Sequence, residues 1–593
     1  MDHPSTASRS PRTTPVIVTK TSTPAARLAS QLHERRHVLE LAGAFIVILA
    51  GGLLLLYINR NQWFFADEWA FLLGRDGGSL HDLIRPHNEH WSTIPVVAYR
   101  ILFNVFGLTT YLPYMATLVL IHVLLGSLVF LVLRRQGGPW SVAVAAGLFV
   151  LFIGRGYENL TWAFQIGFVG SIVAALGAIL LLQNNSSRAD FGASLLLIIA
   201  LMSSGIGVAA LGGVILTLLF RGEYRRLFWV ALAPLLVYGA WFLSQRHLIL
   251  SSHQPDLIES LLLLPSYVAV GLMSTFEGLV GFGQPVGMGV VVIALAGILV
   301  WLAGRRTRLV PTGILGPLLI ALTILGLAGL SRASVFGVDQ ARAPRYVHVT
   351  AVLLLVALLG MFVASSWYRT YASTGLILVL TGLILIGVVS GISVLRGHAW
   401  FLADVKADGK TQVLAMAAAM TQDDVPVVSD ARPIPHSPDI SVEAVQRLLL
   451  NHPEAVPDTS NVSQDEIDAA LVRMQYSINS VPTVEERASL QLAELSDAEL
   501  VSASSDCISV KAGATDPQVV VQIEGEGMIS VESDVTGAIE VFPGDDSAFS
   551  QEVATTSNIG PGSPSWIRVA EGVDALRIDP PSGSTTRICG ADA

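Results

Sequence analysis

A chain of 593 residues that is 52% hydrophobic and only 14% charged, with a mean hydropathy of +0.59, lies well outside the usage of soluble globular proteins. Its formal charge of −10 comes mostly from carboxylates after Arg396, and an acidic tail of this kind argues against nucleic acid as a partner. Apolar runs of helix-spanning length follow one another to about Leu395, so the lipid bilayer is the partner the composition demands.

Residues 1–36 are rich in Ser, Thr, Pro and Arg without a periodic apolar face, which predicts a disordered, basic cytoplasmic leader. The first apolar run, 38–58, is too long for a signal-peptide core and lacks a small-residue cleavage pattern; it reads as a retained span. Further spans are expected near 110–133, 139–153, 162–182, 191–204, 206–220, 227–246, 286–303, 309–330, 346–365 and 374–395, about eleven in all. Two of these, 139–153 and 191–204, are short. The stretch 257–282 is apolar but interrupted by Pro265 and Glu277, and reads as interfacial or re-entrant, while 91–106 reads as interfacial, with Arg100 and Asn104 on one side of a helix.

Arg134, Arg135, Arg188, Arg221, Arg225, Arg226, Arg305, Arg306, Arg308 and Arg369 fall on the leader's side in this topology, which the positive-inside rule makes cytoplasmic. The acids Asp67, Glu68, Asp76, Asp82, Glu89, Glu158, Asp256, Glu259, Glu277 and Asp339 then lie outside, where the chemistry is expected. An odd span count places the C-terminal tail outside as well.

From Asp404 to Leu500 the tail reads as helical, with a cap at Asp439 or Ser441 and a capping box at Ser463 and Glu466. From Cys507 the period changes to two in "PQVVVQIEG", "GMISVESD", "GAIEVFPG", "WIRVAEG" and "DALRIDP", which predicts a small antiparallel β-sandwich. Cys507 and Cys589, the only cysteines, are more readily a disulfide in an exported domain than a metal site. The expected division is a leader at 1–36, a transmembrane domain at 37–398, an extracytoplasmic helical segment at 399–505 and a β-sandwich at 506–593.

"QWFFADEWAFLL", Gln62 to Leu73, sets Asp67 and Glu68 among aromatic groups just beyond the first span. A partly desolvated carboxylate at a cavity mouth can act as a general base toward a sugar hydroxyl. The alternative is that the pair caps a juxtamembrane helix and faces solvent. Adjacent residues point in different directions, so Glu68 is not expected to share a proton with Asp67.

The position of "FFADEW", together with "RPHNEHWSTIPVVAYRILFNVFG" up to Gly107, resembles the first-loop acidic motif of the C-type glycosyltransferase superfamily, whose members use polyprenyl-phosphate sugars. The resemblance covers the membrane half. It implies an inverting transfer in which Asp67 deprotonates the acceptor, with Glu68 binding or orienting that acceptor. The partners it implies are a polyprenyl-phosphate sugar donor and a glycan, lipid or protein acceptor.

His87, Glu89 and His90 in "HNEH" are capable metal ligands, but the spacing is not that of a helical zinc motif. They are expected as an acceptor-binding turn or a structural cluster, with no metal assigned and a divalent cation left open. Glu158 and Gln165 in the second outer loop are expected near the face of Asp67, or in an interfacial aromatic belt. In "SRASVFGVDQARAPRYVHV", Arg342, Arg345 and Tyr346 suit a lipid phosphate, against the alternative of head-group anchoring. There is no P-loop, G-x-S-x-G or dinucleotide fingerprint.

These readings converge on an α-helical polytopic membrane glycosyltransferase with an extracytoplasmic α plus β-sandwich domain. The few lysines and many Arg, Ala and Gly suggest a bacterial, actinobacterial-type envelope enzyme. The rivals are a lipid-linked sugar flippase, which would place ionisable groups at mid-membrane, and a non-catalytic glycan-binding scaffold.

Overall fold

The computed structural model describes residues 24–75, 79–252, 255–280, 298, 310–422, 427–434, 437, 439–478, 489–504, 507–524, 527–543, 555–561, 564–570, 573 and 575–590. The expectations for 1–23, Asp76 and the span 286–303 lie outside the described residues.

The first helix, α1, runs from Pro24 to Ile58, so the part of the leader from Pro24 onward is helical rather than disordered. The Ala-, Leu- and Gln-rich sequence there extends a helix that the apolar run has already nucleated. Three short helices follow: α2 (Glu68–Leu72), α3 (Leu80–Ile84) and α4 (Thr93–Phe106). Then come α5 (Leu112–Arg135), α6 (Trp140–Phe149), α7 (Tyr157–Thr161), α8 (Ile166–Leu182), α9 (Ser187–Leu201), α10 (Ile206–Arg221), α11 (Tyr224–Ser252) and α12 (Leu257–Val280). Beyond residue 309 lie α13 (Thr312–Phe336), α14 (Pro344–Ala364), α15 (Ser366–Tyr371) and α16 (Thr374–Ala419).

Among the described residues, 8 helices are long and apolar enough to cross a bilayer, or 9 if the bent pair Trp140–Phe152 and Gly154–Thr161, 43° apart, is one span. The chain is thus a polytopic helical membrane protein. The stretch 257–282, expected as interfacial or re-entrant, is corrected: Leu257–Val280 has the length and composition of a span and is one of the eight. The expected spans that do not count among the eight are the short pair α9 and α10, of 15 and 16 residues, the stretch 139–153, which enters only through the bent pair, and the span outside the described residues. The helices α9 and α10 meet at Met202–Gly205, where Ile94 N donates to the Met202 carbonyl at 3.0 Å. The bundle is therefore recessed at that point, with α4 lying over it.

Ion pairs mark one end of the bundle: Arg134 with Glu40 at 2.9 Å, Arg226 with Asp190 at 2.7 Å and Arg221 with Glu223 at 2.6 Å. The acids of the first loop sit at the other end. The helix α12 is continuous through Pro265; Ser260 Oγ lies 2.9 Å from Ser334 Oγ, and Glu277 pairs with Arg155 at 3.2 Å.

After α16, α17 (Val442–Asn451) and α18 (Gln464–Met474) share the hydrophobic core of the bundle. Ser441, not Asp439, caps α17, and the Ser463–Glu466 capping box closes α18. Strands begin at β1 (Tyr476–Ile478), so the helical pattern read to Leu500 is corrected: β2 (Ser489–Ser496) and β3 (Ala498–Ala503) occupy part of it. Their Ala, Leu and Glu residues favour helix locally, and pairing with β4 (Cys507–Ala512) and β5 (Gln518–Glu524) overrides that preference.

The remaining strands are β6 (Gly527–Ser533), β7 (Gly537–Pro543), β8 (Thr555–Ile559), β9 (Ser565–Val569), β10 (Ala575–Asp579) and β11 (Thr585–Gly590). They complete two antiparallel sheets, ordered β1-β9-β6-β11-β4-β3 and β2-β5-β10-β7-β8. A separate core that includes Val510, Val521, Val531 and Ile588 lies between them. Cys507 and Cys589 face each other across β4 and β11 and form a disulfide.

Candidate active site

The first loop is pinned before it reaches its acids. Asn59 Nδ2 donates to the carbonyls of Leu55 and Leu160 at 3.0 and 2.9 Å, and Gln62 Nε2 donates to the Ala399 carbonyl at 2.7 Å. Phe64 then packs edge-on against Tyr111 and Tyr114, with ring centroids 4.9 and 4.8 Å away. Ala66 takes a positive φ of 48° and turns the two acids apart.

Asp67 occupies the N-cap position of α2, but its side chain makes no capping hydrogen bond. Its carboxylate is instead partly exposed, 3.9 Å from His87 Nε2, on the wall of a crevice of ≈ 110 Å³. Glu68 faces the opposite way and is fully buried. It accepts hydrogen bonds from Tyr99 Oη, from Tyr111 Oη at 2.8 Å and from Phe65 N at 2.8 Å. Burial pushes its pKa up, and the Lys406 cation and these donors pull it back. The expectation that Glu68 binds substrate is corrected: a short helix turns consecutive side chains about 100° apart, and the aromatic cage takes this one.

"HNEH" forms a tight turn in which His87 and His90 exchange backbone hydrogen bonds at 3.0 Å and Asn88 has φ 51°. Both imidazoles line the crevice. The His87 ring packs on Phe71 and Phe164, and His90 sits over Gly205, where an added Cβ would lie 2.7 Å from the ring. Burial lowers the His90 pKa to about 4, with His87 and Arg345 adding to the effect, so this imidazole is neutral at pH 7.

Across the crevice stand Arg345 and Tyr346 from the start of α14, Arg332 from α13, and Gln165 and Trp162 from the second loop. Arg345 pairs with Glu158 at 3.3 Å, and Arg332 contacts Glu89. Gln165 is buried, and its Oε1, like Trp162 Nε1, makes no hydrogen bond among the described residues.

The structure therefore brings Asp67, His87, His90, Gln165, Arg345 and Tyr346 onto one crevice. Glu89 and Glu158 stand behind it, each paired with a crevice arginine. Arg342 is separated from the group: it pairs with Asp339 at 3.0 Å and lines a second cavity of ≈ 920 Å³ with Arg155, Glu277 and apolar residues such as Leu355 and Ile384. A proline two residues along starts α14 and directs Arg342 and Arg345 to different sides.

Sequence reasoning missed Ser203 and Ser204, which line the crevice from the α9–α10 turn, and Asp439, which faces Asp67 and His87 from the tail. Partial desolvation and the Asp67 charge push the Asp439 pKa up, while His87 and Arg432 draw it down. "SSGIG" was a usable signal, because a polar turn between two short apolar runs has to lie where polar groups find partners. Asp439 gave none.

No group of three or more His, Cys, Asp or Glu side chains is placed to hold a metal among the described residues. No protein-family model and no curated protein matches the chain. Among solved structures it is similar to ArnT from Cupriavidus metallidurans bound to undecaprenyl phosphate, with 15% identity and a TM-score of 0.44 over 74% of this chain and 92% of that one.

Proposed function

We propose that the chain is an inverting glycosyltransferase that moves a sugar from a polyprenyl-phosphate donor to a hydroxyl of an extracytoplasmic envelope glycan, lipid or protein. One observation carries the reading: Asp67 and Arg345 line the same crevice, at the end of the bundle away from Arg134 and Arg226. That arrangement pairs a proton acceptor with a cation across a gap large enough for reacting atoms.

Asp67 takes the proton of the acceptor hydroxyl. The acceptor oxygen forms its bond to the anomeric carbon as the bond from that carbon to the phosphate oxygen breaks, and polyprenyl phosphate leaves with the electron pair. Arg345 and Arg332 balance the charge on the leaving phosphate. The neutral His90 imidazole, together with the His87 and Gln165 side chains, presents hydrogen-bonding groups to sugar hydroxyls. The donor's hydrocarbon chain has the second cavity beside it, with Arg342 at its polar end. A cytoplasmic N-terminus and an extracytoplasmic tail fit the positive-inside rule and the disulfide.

Purified protein incubated with radiolabelled polyprenyl-phosphate mannose, arabinose, glucose or galactose and an envelope extract is expected to move one label. Asp67→Asn lowers that transfer by ~10²–10⁴-fold, the share of a general base, with an unchanged melting midpoint. Full transfer by this variant removes the assignment.

A further inference from the structure

We propose that Lys406 is a positioning residue for the Asp67 carboxylate, acting from the tail side of α16 through the buried aromatic cluster that encloses Glu68. The inference rests on the transferase reading only for its kinetic test.

Lys406 is 1% exposed and does not line the crevice. Its Nζ donates to the Thr161 carbonyl at 3.2 Å and stands 5.9 and 5.8 Å from the ring centroids of Phe65 and Tyr111. The Tyr111 hydroxyl donates to Glu68 and accepts from Ala163 N at 2.9 Å. One enclosed cluster thereby joins five pieces of chain: the first loop, α4 through Tyr99, the start of α5, the second loop at 161–163, and α16. Trp162, Phe164 and Gln165, just past Thr161, form the crevice wall opposite Asp67. Lys406 thus bonds to the second-loop side and lies against the Phe65 and Tyr111 rings on the other, without entering the crevice.

The path to Asp67 is short. Glu68 holds Phe65 N, and between them Ala66 keeps a φ of 48°, which a residue with a Cβ adopts only when its neighbours enforce it. Without Lys406 the Glu68 carboxylate is enclosed with no counter-charge. It then takes up a proton and weakens as an acceptor for Tyr99, Tyr111 and Phe65. Release of Phe65 lets Ala66 relax to negative φ and swings the Asp67 side chain off the crevice wall.

The test uses the full-length protein with Lys406→Met, Glu68→Gln and the double variant, which is charge-balanced. Lys406→Met is expected to lower kcat at least tenfold with the donor KM within twofold, and the double variant to recover at least half of the loss in log units. An unchanged kcat in Lys406→Met, or a double variant no better than the product of the singles, overturns the proposal. Should a single variant not accumulate in the membrane, the double variant measured against Glu68→Gln decides.

A second readout needs no transfer. The thiol of an Asp67→Cys variant is labelled with a water-soluble maleimide, with and without Lys406→Met. A change in labelling rate of fivefold or more supports the positioning role, and equal rates refute it. If wild-type protein moves no label from any donor, the transferase reading fails and the thiol rates alone judge Lys406.

Discussion

Gly107 ends α4 at φ 55° and ψ −145°, a backbone region open essentially to glycine alone. A Cβ there would lie 2.7 Å from Ala455 Cα and 2.8 Å from its carbonyl oxygen, both backbone atoms with no rotamer to yield. Leu108 N donates to that same carbonyl at 2.7 Å, and the Phe103 and His452 rings meet edge to face at 5.4 Å. In Gly107→Ala the conformational strain costs about 1–3 kcal/mol. The overpacking costs about 1–3 kcal/mol more. The hydrogen bond is worth only about 1 kcal/mol, so the overlap is relieved by separation of the Pro453–Ala455 turn from α4. Hydrogen exchange checks this directly: the Leu108 amide should exchange at least tenfold faster, while amides in the middle of α5 keep their rates. Unchanged exchange at Leu108 with an unchanged melting midpoint would refute the reasoning.

Arg345→Gln removes a crevice cation and should lower kcat by ~10²–10³-fold, the scale of one lost electrostatic contact to a transition state. Arg342→Gln should chiefly raise the donor KM; equal kinetic effects would place both arginines on one ligand group. Replacing Cys507 and Cys589 with alanine opens a loop with a sequence separation of 82 and costs the sandwich up to about 4–5 kcal/mol on the loop-entropy model. Because the sandwich has its own core, calorimetry should show its transition shifting down while exchange of the α5 amides stays the same.

Much of the architecture was legible because it depends on local patterns. Hydropathy marks a run such as 112–135, and alternation in "PQVVVQIEG" marks a strand, whatever lies elsewhere in the chain. The Ser463–Glu466 box is equally local. The helical reading of 489–500 failed because strand pairing with distant residues outweighed Ala, Leu and Glu propensities.

The crevice and the groups around it divide along the same line. Asp67, His87 and His90 lie within 23 positions of one another in a loop whose polarity stands out against its surroundings. Lys406 and Asp439 are more than 330 positions from Asp67, and only the course of α16 and the fold of the tail bring them back. The opposite fates of Asp67 and Glu68, and of Arg342 and Arg345, depend on a few degrees of helix start and on which aromatic groups close around each. One-dimensional sequence holds no record of that.

At 46 residues, α16 is about 69 Å long, more than twice the roughly 30 Å hydrocarbon layer, and it is unbroken throughout. It touches the bundle at three heights, through Thr381, Ala399 and Lys406. A rod of this kind makes spacing a matter of phase as well as length. One residue inserted between Ala399 and Lys406 would swing the lysine about 100° around the axis, away from the Thr161 carbonyl, while the membrane-embedded half stayed in place. Beyond Lys406 the register is held again, because Val413, Ala415, Met416 and Ala419 are buried in the core shared with α17 and α18, so the rod tolerates no change of length along either half.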